Sequence, residues 1–387
     1  MVPRFGLSYD GRAMPIRDSD IPRFRNALLA WYGANRRDLP WRATTDPYAI
    51  WASEVMLQQT QVSRVSEYWP RFLERFPTVE ALADATSDDV LREWSGLGYY
   101  RRARMLHQAA RVVVEEFGGS LPASARDLRR LPGMGEYTSA AVASIGFGEA
   151  VPAVDANAAR VLARVLGLRG DVSRAGRRRA LESEARRLLD GERPGEFNQA
   201  MMELGALICS PVAPRCASCP VARFCAAGAS LDPAAYPGAT ARTRSIGFRE
   251  AIGVVTRGAD LLLAQQEHER GWWEGLWTLP RGPLSDGQDA AAVLAETILK
   301  RFGIACRFRG DRHERKYGVT RHRVTAVVLR GDCTGGSLKP AGGGEWVALH
   351  DAARLGLPAP HRAILDVLLD AEPSVPEDVG EHKGCDD

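Results

Sequence analysis

Apolar residues recur at helical spacing from Ile21 to about Ala227. Phe24, Leu28, Leu29 and Tyr32 fall on one stripe of an amphipathic helix. Asp46-Pro47 opens a second helix, which the pattern carries through Val62, with proline in the first turn where its missing N–H matters least. Thr86 and Ser87, followed by Asp88 and Asp89, cap a third that runs to about Gly96. Further helices are expected over Arg101–Phe117, stopped by Gly118-Gly119, and over Ala125–Arg130 and Tyr137–Ile145. Arg160–Leu168, Ala180–Leu189 and Phe197–Ile208 complete the set. No alternating stretch interrupts them, so this part is expected to be all-α.

Residues 228–245 lose all periodicity and are rich in Ala, Pro, Gly and Thr, which marks a linker. Beyond it the period becomes two. Ala251–Thr256 and Leu261–Gln265 predict a hairpin around Arg257-Gly258-Ala259-Asp260. Val324–Leu329 is expected to be a strand, and Ala290–Phe302 and Pro360–Leu369 helices. The expected chain is multidomain, with an all-α domain over 21–227 followed by an α+β domain over 246–370. A length of 387 residues also exceeds what one ordinary core serves. Residues 1–20 are expected to be a disordered leader and 371–387 a disordered tail.

Hydrophobic content of 45% and charge of 26% suit a soluble globular chain. No apolar run reaches the ~18 residues that a spanning helix needs, and no apolar signal region opens the chain. No membrane partner is therefore expected, and the expected place is the cytoplasm, associated with the nucleoid. The net charge of +3 hides an asymmetry. Up to Gly228 there are 31 Arg against 26 Asp and Glu, so the front is basic and the remainder slightly acidic. No lysine precedes Lys300, which removes one kind of chemistry from the front domain.

Cys306, Cys333 and Cys385 are scattered and read as ordinary thiols in a reducing compartment. Cys209, Cys216, Cys219 and Cys225 fall within seventeen residues as Cys-x6-Cys-x2-Cys-x5-Cys. Four thiols so close in sequence bind zinc or an iron–sulfur cluster, and a single compact loop suits the cluster better than two zinc knuckles. This spacing, directly after a helix, resembles the [4Fe–4S] loop of the endonuclease III family of DNA glycosylases, over 209–225. The resemblance implies a structural cluster, with Arg215 and Arg223 available to phosphates.

Leu131-Pro132-Gly133-Met134-Gly135 joins two helices. Gly133 and Gly135 let a backbone phosphate approach, and the second helix aims its first amides at it. Asp155 precedes Ala156-Asn157-Ala158-Ala159-Arg160, so it caps a helix whose amides favour its charged form. Such a carboxylate suits a sugar cation. Glu54 shares its helical face with Ile50, Trp51, Leu57 and Gln58. A glutamate on a mostly apolar face is either out of place or held protonated as an acid. An acid beside an ionised carboxylate is the pairing that glycosidic cleavage uses.

The run Leu-Pro-Gly-x-Gly-x-Tyr-Thr extends the likeness to the helix-hairpin-helix of DNA glycosylases. With Leu39-Pro40-Trp41-Arg42, Asp46-Pro47-Tyr48, Glu54–Val62 and Gly96-Leu97-Gly98-Tyr99-Tyr100, the chain resembles the adenine DNA glycosylase (MutY) family from Asn35 to Cys225. The resemblance implies that Glu54 protonates a flipped adenine at N7 and Asp155 stabilises or bonds to the sugar cation, with Tyr137 and Asn157 positioning them. It implies further that Gln59, Thr60, Leu97 and Tyr99 enter the duplex, and that Gly133, Gly135 and Arg42 contact DNA. Bifunctional endonuclease III carries its Schiff-base lysine where this chain has Tyr137, so a monofunctional enzyme is implied.

Gly275-Leu276-Trp277-Thr278-Leu279-Pro280 and the helix ending Arg301-Phe302-Gly303 resemble the Nudix fold. Where a Nudix hydrolase places its metal-binding carboxylates, this helix has Thr297, Lys300 and Arg301, so neither metal nor hydrolysis is expected. The domain resembles the family's C-terminal domain, which reads 8-oxoguanine through a Phe-Ser-His loop. Aligned on the histidine, the corresponding residues here are Thr320, Arg321 and His322; shifted by one residue, the family's serine becomes Thr320 and the histidine is lost, and either way the motif is altered. Arg301, Arg307, Arg309, Arg312 and Arg315 crowd the region and suit a DNA backbone. The resulting expectation is a monomeric adenine glycosylase acting on double-stranded DNA with A opposite 8-oxoguanine or guanine. A thymine/uracil mismatch glycosylase and a non-catalytic iron–sulfur DNA-binding protein are the rival readings.

Overall fold

The computed structural model describes residues 16–172, 174–230, 232–238, 244–265, 272–352 and 354–369. The expected tail lies outside these residues, as do the first fifteen residues of the expected leader. Contacts divide the chain between Arg244 and Ser245.

The first unit is helical: α1 (Ile21–Asn35), α2 (Pro47–Leu57), α3 (Val62–Arg75), α4 (Val79–Asp84), α5 (Ser87–Glu93), α6 (Arg101–Phe117), α7 (Ala125–Leu128), α8 (Glu136–Gly146), α9 (Ala156–Val165), α10 (Ala175–Leu188) and α11 (Pro194–Leu207). Phe24 and Leu28 of α1 pack with Val161 and Leu162 of α9 and with Phe197 and Leu204 of α11. The predicted leader is too long, because Ile16 is buried against this core and its N–H reaches Glu184 Oε1 at 3.2 Å. A 3-10 turn then spans Asp18–Asp20.

The predicted helix from Pro47 to Val62 is too long, and Val62 instead starts the next helix. α2 ends at Leu57 because Gln58-Gln59-Thr60-Gln61 offers no apolar side chain to bury, and Gln59 turns left-handed at φ 57°. α3 and α4 were hidden, the first by Pro70 in its interior and the second by its shortness. The predicted linker also needs correction. Pro233–Ala235 forms a 3-10 turn, and Tyr236 is buried with its carbonyl accepting from Arg164 Nε at 2.9 Å. Those residues belong to the helical unit.

The second unit contains β1 (Ile246–Arg257), β2 (Asp260–Gln265), β3 (Trp277–Thr278), β4 (Arg281–Pro283), α12 (Ala290–Phe302), β5 (Ile304–Val319), β6 (His322–Gly336), β7 (Gly344–Ala348), α13 (Leu349–Ala352) and α14 (Ala359–Leu369). The strand order is β3-β2-β1-β6-β5, with β4 against β1 and β7 against β2. β1 and β6 run parallel while the other pairs are antiparallel, as for Thr256 opposite Leu261 in the predicted hairpin. Alternation sorts the faces. Ala251, Val255 and Val327 bury against Leu294, Ile298 and Phe302 of α12. Ile252, Val254 and Val328 bury against Ile364 and Leu365 of α14. β5 was invisible in the pattern because it is an edge strand lined with arginines and mostly exposed.

Candidate active site

Glu54 lies on α2, a helix nearly all buried because it packs against α3, α6 and α8. The residue is 6% exposed. Its Oε2 accepts the hydroxyl of Tyr137, in the first turn of α8, at 2.6 Å. Burial pushes the Glu54 carboxyl up to about 7; Asp155 adds to this, while the Tyr137 hydroxyl and the Arg42 charge oppose it. Tyr137 is itself driven well above its ordinary value, chiefly by burial and then by Glu54 and Asp155, so it stays a proton donor. Its oxygen also lies 3.4 Å from Met202 Sδ.

Asp155 caps α9. Oδ1 accepts the Ala158 N–H at 2.6 Å, and Oδ2 accepts Asn157 Nδ2 at 2.9 Å. Asn157 Oδ1 in turn accepts Arg160 Nη2 at 2.8 Å. Arg160 also reaches the carbonyls of Gly205 and Cys209, each at 2.9 Å. Four residues singled out from sequence, Glu54, Tyr137, Asp155 and Asn157, are thus brought to one place by α2, α8 and α9. A proton-holding carboxyl and a hydrogen-bonded carboxylate face the same region, which is the equipment for glycosidic cleavage.

Cys209 follows the end of α11, Cys216 opens a short 3-10 turn that Cys219 closes, and Cys225 closes a second such turn. Burial raises Cys219 to about 11 and Cys225 to about 12, and neighbouring members of the four add to both. Arg164, almost wholly buried, places Nη1 3.2 Å from Cys209 Sγ and anchors the carbonyls of Ser210 and Pro211. Among the described residues, no group of His, Cys, Asp or Glu gathers as ligands of one metal ion. Four soft thiol donors in one short loop, with a guanidinium beside Cys209, are a donor set of the kind an iron–sulfur group takes.

The hairpin Leu131–Gly135 has the predicted form. Gly133 is exposed at φ 76°, and a Cβ there would stand 2.6 Å from Met105 Cβ. Gly135 caps α8 without a side-chain hydrogen bond, which leaves the first amides of that helix free of side-chain acceptors. Gln59 and Tyr99 are exposed, and both are left-handed, Tyr99 at φ 49°.

Two expectations are corrected. Leu97 is 6% exposed and fills the core beneath the loop rather than standing out as a wedge. Arg42 makes a two-pronged ion pair with Glu203, both contacts at 2.9 Å, and its side chain is only 11% exposed, so its guanidinium is engaged within the unit rather than held out to a phosphate. Burial works against the Glu203 charge, but Arg42 and Arg37 outweigh it and hold that carboxyl down at about 2.

Sequence reasoning missed Arg102. Its Nη1 donates to the carbonyls of Val55 (2.9 Å), Met56 (2.7 Å) and Gln58. Its Nη2 donates to Thr60 Oγ1 at 2.9 Å and to the Gly98 carbonyl at 3.0 Å. One side chain thereby ties the end of the Glu54 helix to both exposed loops. It lies in the run Arg101-Arg102-Ala103-Arg104, and nothing in that pattern shows which arginine turns inward.

In the second unit, Thr320 and Arg321 form the exposed two-residue turn between β5 and β6, with Val319 opposite His322 and Thr320 at φ 51°. The His322 ring packs on Trp272 with centroids 4.8 Å apart, and its Nδ1 is buried without a hydrogen-bond partner. The turn therefore presents Thr320 and Arg321 outward, and the histidine belongs to the domain's aromatic packing. On α12, Thr297 donates to the Val293 carbonyl at 2.7 Å.

The HhH-GPD superfamily of base excision DNA repair proteins matches residues 52–187, and the NUDIX domain matches residues 251–367. An adenine DNA glycosylase of Mycobacterium tuberculosis is 36% identical over 281 residues, covering 72% of this chain and 92% of that protein. The human adenine DNA glycosylase is 47% identical over 218 residues, covering 54% of this chain. That match spans 40% of the human protein, so the chain spans well under two thirds of the mammalian relatives. A thermostable thymine-DNA glycosylase of known structure has a TM-score of 0.50 at 31% identity, covering 54% of this chain and 96% of that one.

Proposed function

The chain belongs to the adenine DNA glycosylase family, and from that premise we propose that it is a monofunctional glycosylase removing adenine mispaired with 8-oxoguanine or guanine in double-stranded DNA. The observation that carries the reading is the 2.6 Å hydrogen bond from Tyr137 to a buried Glu54 whose carboxyl is raised to about 7. Such a group still holds its proton near neutral pH. In the proposed reaction Glu54 gives that proton to N7 of an extruded adenine, so the base leaves as a neutral molecule. The Asp155 carboxylate, oriented by Asn157 and the Ala158 N–H, faces the oxocarbenium ion that develops at the sugar. Water completes the hydrolysis. Tyr137 stands where bifunctional relatives use lysine, and this unit contains none, which supports base removal without a Schiff-base lyase step.

The exposed Gly133–Gly135 turn and the uncapped start of α8 suit a phosphate of the duplex backbone. Gln59 and Tyr99 suit insertion beside the extruded base. Cys209, Cys216, Cys219 and Cys225 would hold a [4Fe–4S] cluster. When bound, it would cross-link a loop that has little core of its own. Thr320 and Arg321 are the residues of the second unit that this reading assigns to the base opposite adenine. The same fold also serves a thymine-DNA glycosylase of known structure, which makes thymine the substrate to exclude. Single-turnover assays on duplexes with A opposite 8-oxoguanine, A opposite guanine and T opposite guanine test the reading. Breaks are expected after alkali and from the two adenine duplexes alone. Breaks without alkali, or from the thymine duplex, would overturn it.

A further inference from the structure

Cys306 and Cys333 lie far apart in sequence and carry no metal-like spacing. The sheet sets them directly opposite each other. They are Cα partners on β5 and β6, beside a register shift at Ala305/Cys306. Directly opposed residues of an antiparallel pair have Cα atoms about 4.5 or 5.5 Å apart, depending on the hydrogen-bonding site. Both separations fall within the roughly 4.4–6.8 Å that a disulfide spans. Opposed side chains also share a face, and both cysteines pack against the core under α12 while remaining part-exposed. In the reduced protein the Cys333 thiol points to the Gly335 carbonyl at 3.8 Å. Burial raises Cys306, and Cys333 adds to the rise, so the two thiols sense each other electrostatically.

We propose that Cys306 and Cys333 form a peroxide-responsive dithiol that closes to a disulfide across β5 and β6. The Cys333 thiolate attacks the O–O bond of hydrogen peroxide. It becomes a sulfenic acid, and the displaced hydroxide takes up a proton to leave as water. The Cys306 thiol then attacks the sulfenic sulfur, the S–S bond forms, and a second water departs with the thiol proton. Two thiols and one peroxide give one disulfide and two waters. Cys306 is the resolving partner because burial keeps its thiol protonated until the sulfenic acid sits opposite. The bond closes the chain between residues 306 and 333 at the base of the hairpin that ends in Thr320-Arg321. It also spares both sulfurs from irreversible oxidation. The proposal is independent of the repair activity, because its readout is the state of two sulfurs.

The test uses the full-length protein with Cys385→Ser, which removes the tail thiol. The protein is treated with hydrogen peroxide, alkylated and digested with trypsin without reduction. The peptides Phe302–Arg307 and Gly331–Arg354 are expected to appear joined, 2 Da lighter than their sum, and to separate with dithiothreitol. Cys306→Ser in the same background should instead carry Cys333 to the sulfinic or sulfonic state, adding 32 or 48 Da. If the two peptides stay apart while the cysteines take up oxygen, the pair is not a switch. If Cys333 overoxidises equally with and without Cys306, the protective role is wrong.

Discussion

The charge on Asp155 pushes Glu54 toward its protonated form, adding to the larger effect of burial, while Tyr137 pulls the other way. A carboxyl raised to about 7 is mostly protonated below that pH and mostly ionised above it. The single-turnover rate on A opposite guanine should therefore be flat below about pH 6 and fall tenfold per unit well above pH 7. Tyr137→Phe removes a hydrogen bond that lowers the Glu54 value, so its falling limb should move to higher pH. Glu54→Gln should lose at least about 10²-fold in rate. A wild-type rate that keeps rising between pH 7 and 8 would rule out Glu54 as the acid.

The same residue has a cost in stability. Its folded value lies above the ordinary carboxyl value, so the folded state binds the extra proton. The wild type should therefore lose stability as pH rises from about 4.5 through 7, and no further beyond that. The penalty is at most about 3 kcal/mol, at 1.36 kcal/mol per unit. Glu54→Gln carries no charge there, so its Tm advantage over wild type should be larger at pH 8 than at pH 5. Equal Tm differences at both pH values would mean that Glu54 ionises freely in the fold.

Much of this site was legible in the chain. The Gly133–Gly135 turn and the Asp155 cap are local, and local rules set them. Glu54 stood out because a charge on an apolar helical face is a conflict within one element. What stayed hidden is the business of long-range pairing. Nothing near Arg42 announces Glu203, some 160 residues away, and nothing in two distant cysteines announces a shared rung of a sheet. Leu97 and Tyr99 look alike as apolar residues in a glycine-rich loop, yet the backbone buries one and exposes the other.

Arg42 was expected to touch DNA, and its two-pronged pair with Glu203 leads to a different experiment. Arg42→Met removes one of the two arginines that hold the buried Glu203 carboxylate, while Arg37 keeps its contacts, so the cost should stay below the about 3–5 kcal/mol of a fully broken buried pair. The Glu203 value is held at about 2, below the ordinary carboxyl range, so the pair's stabilisation is present above about pH 4.5 and lost as pH falls toward 2. Arg42→Met should thus melt lower than wild type at pH 7, with the gap narrowing on acidification. The slope of log affinity against log salt should be unchanged on an undamaged duplex. A slope shallower by about one would return Arg42 to the phosphates.

Arg102 bridges the Glu54 helix and the two loops whose exposed tips, Gln59 and Tyr99, are left-handed. Such backbones cost roughly 1–3 kcal/mol each and persist only where surrounding contacts fix them. Burial lowers Arg102 to about 10, so it remains a cation near neutral pH. Arg102→Met leaves several carbonyls of the α2 terminus unpaired, at about 1–3 kcal/mol for each one that stays buried. Lower stability alone would say little about function. The comparison is with Leu106→Ala, which opens a cavity on the buried face of α6 and should cost about 2–5 kcal/mol. Both variants should melt lower. Extrusion of 2-aminopurine opposite guanine, followed by its fluorescence, should be slowed at least tenfold by Arg102→Met and little by Leu106→Ala. Arg102→Lys should recover part of the stability and little of the extrusion rate, because an ammonium cannot reach both loops at once. Equal slowing by Arg102→Met and Leu106→Ala at matched loss of Tm would reduce Arg102 to a structural clamp with no part in opening the duplex.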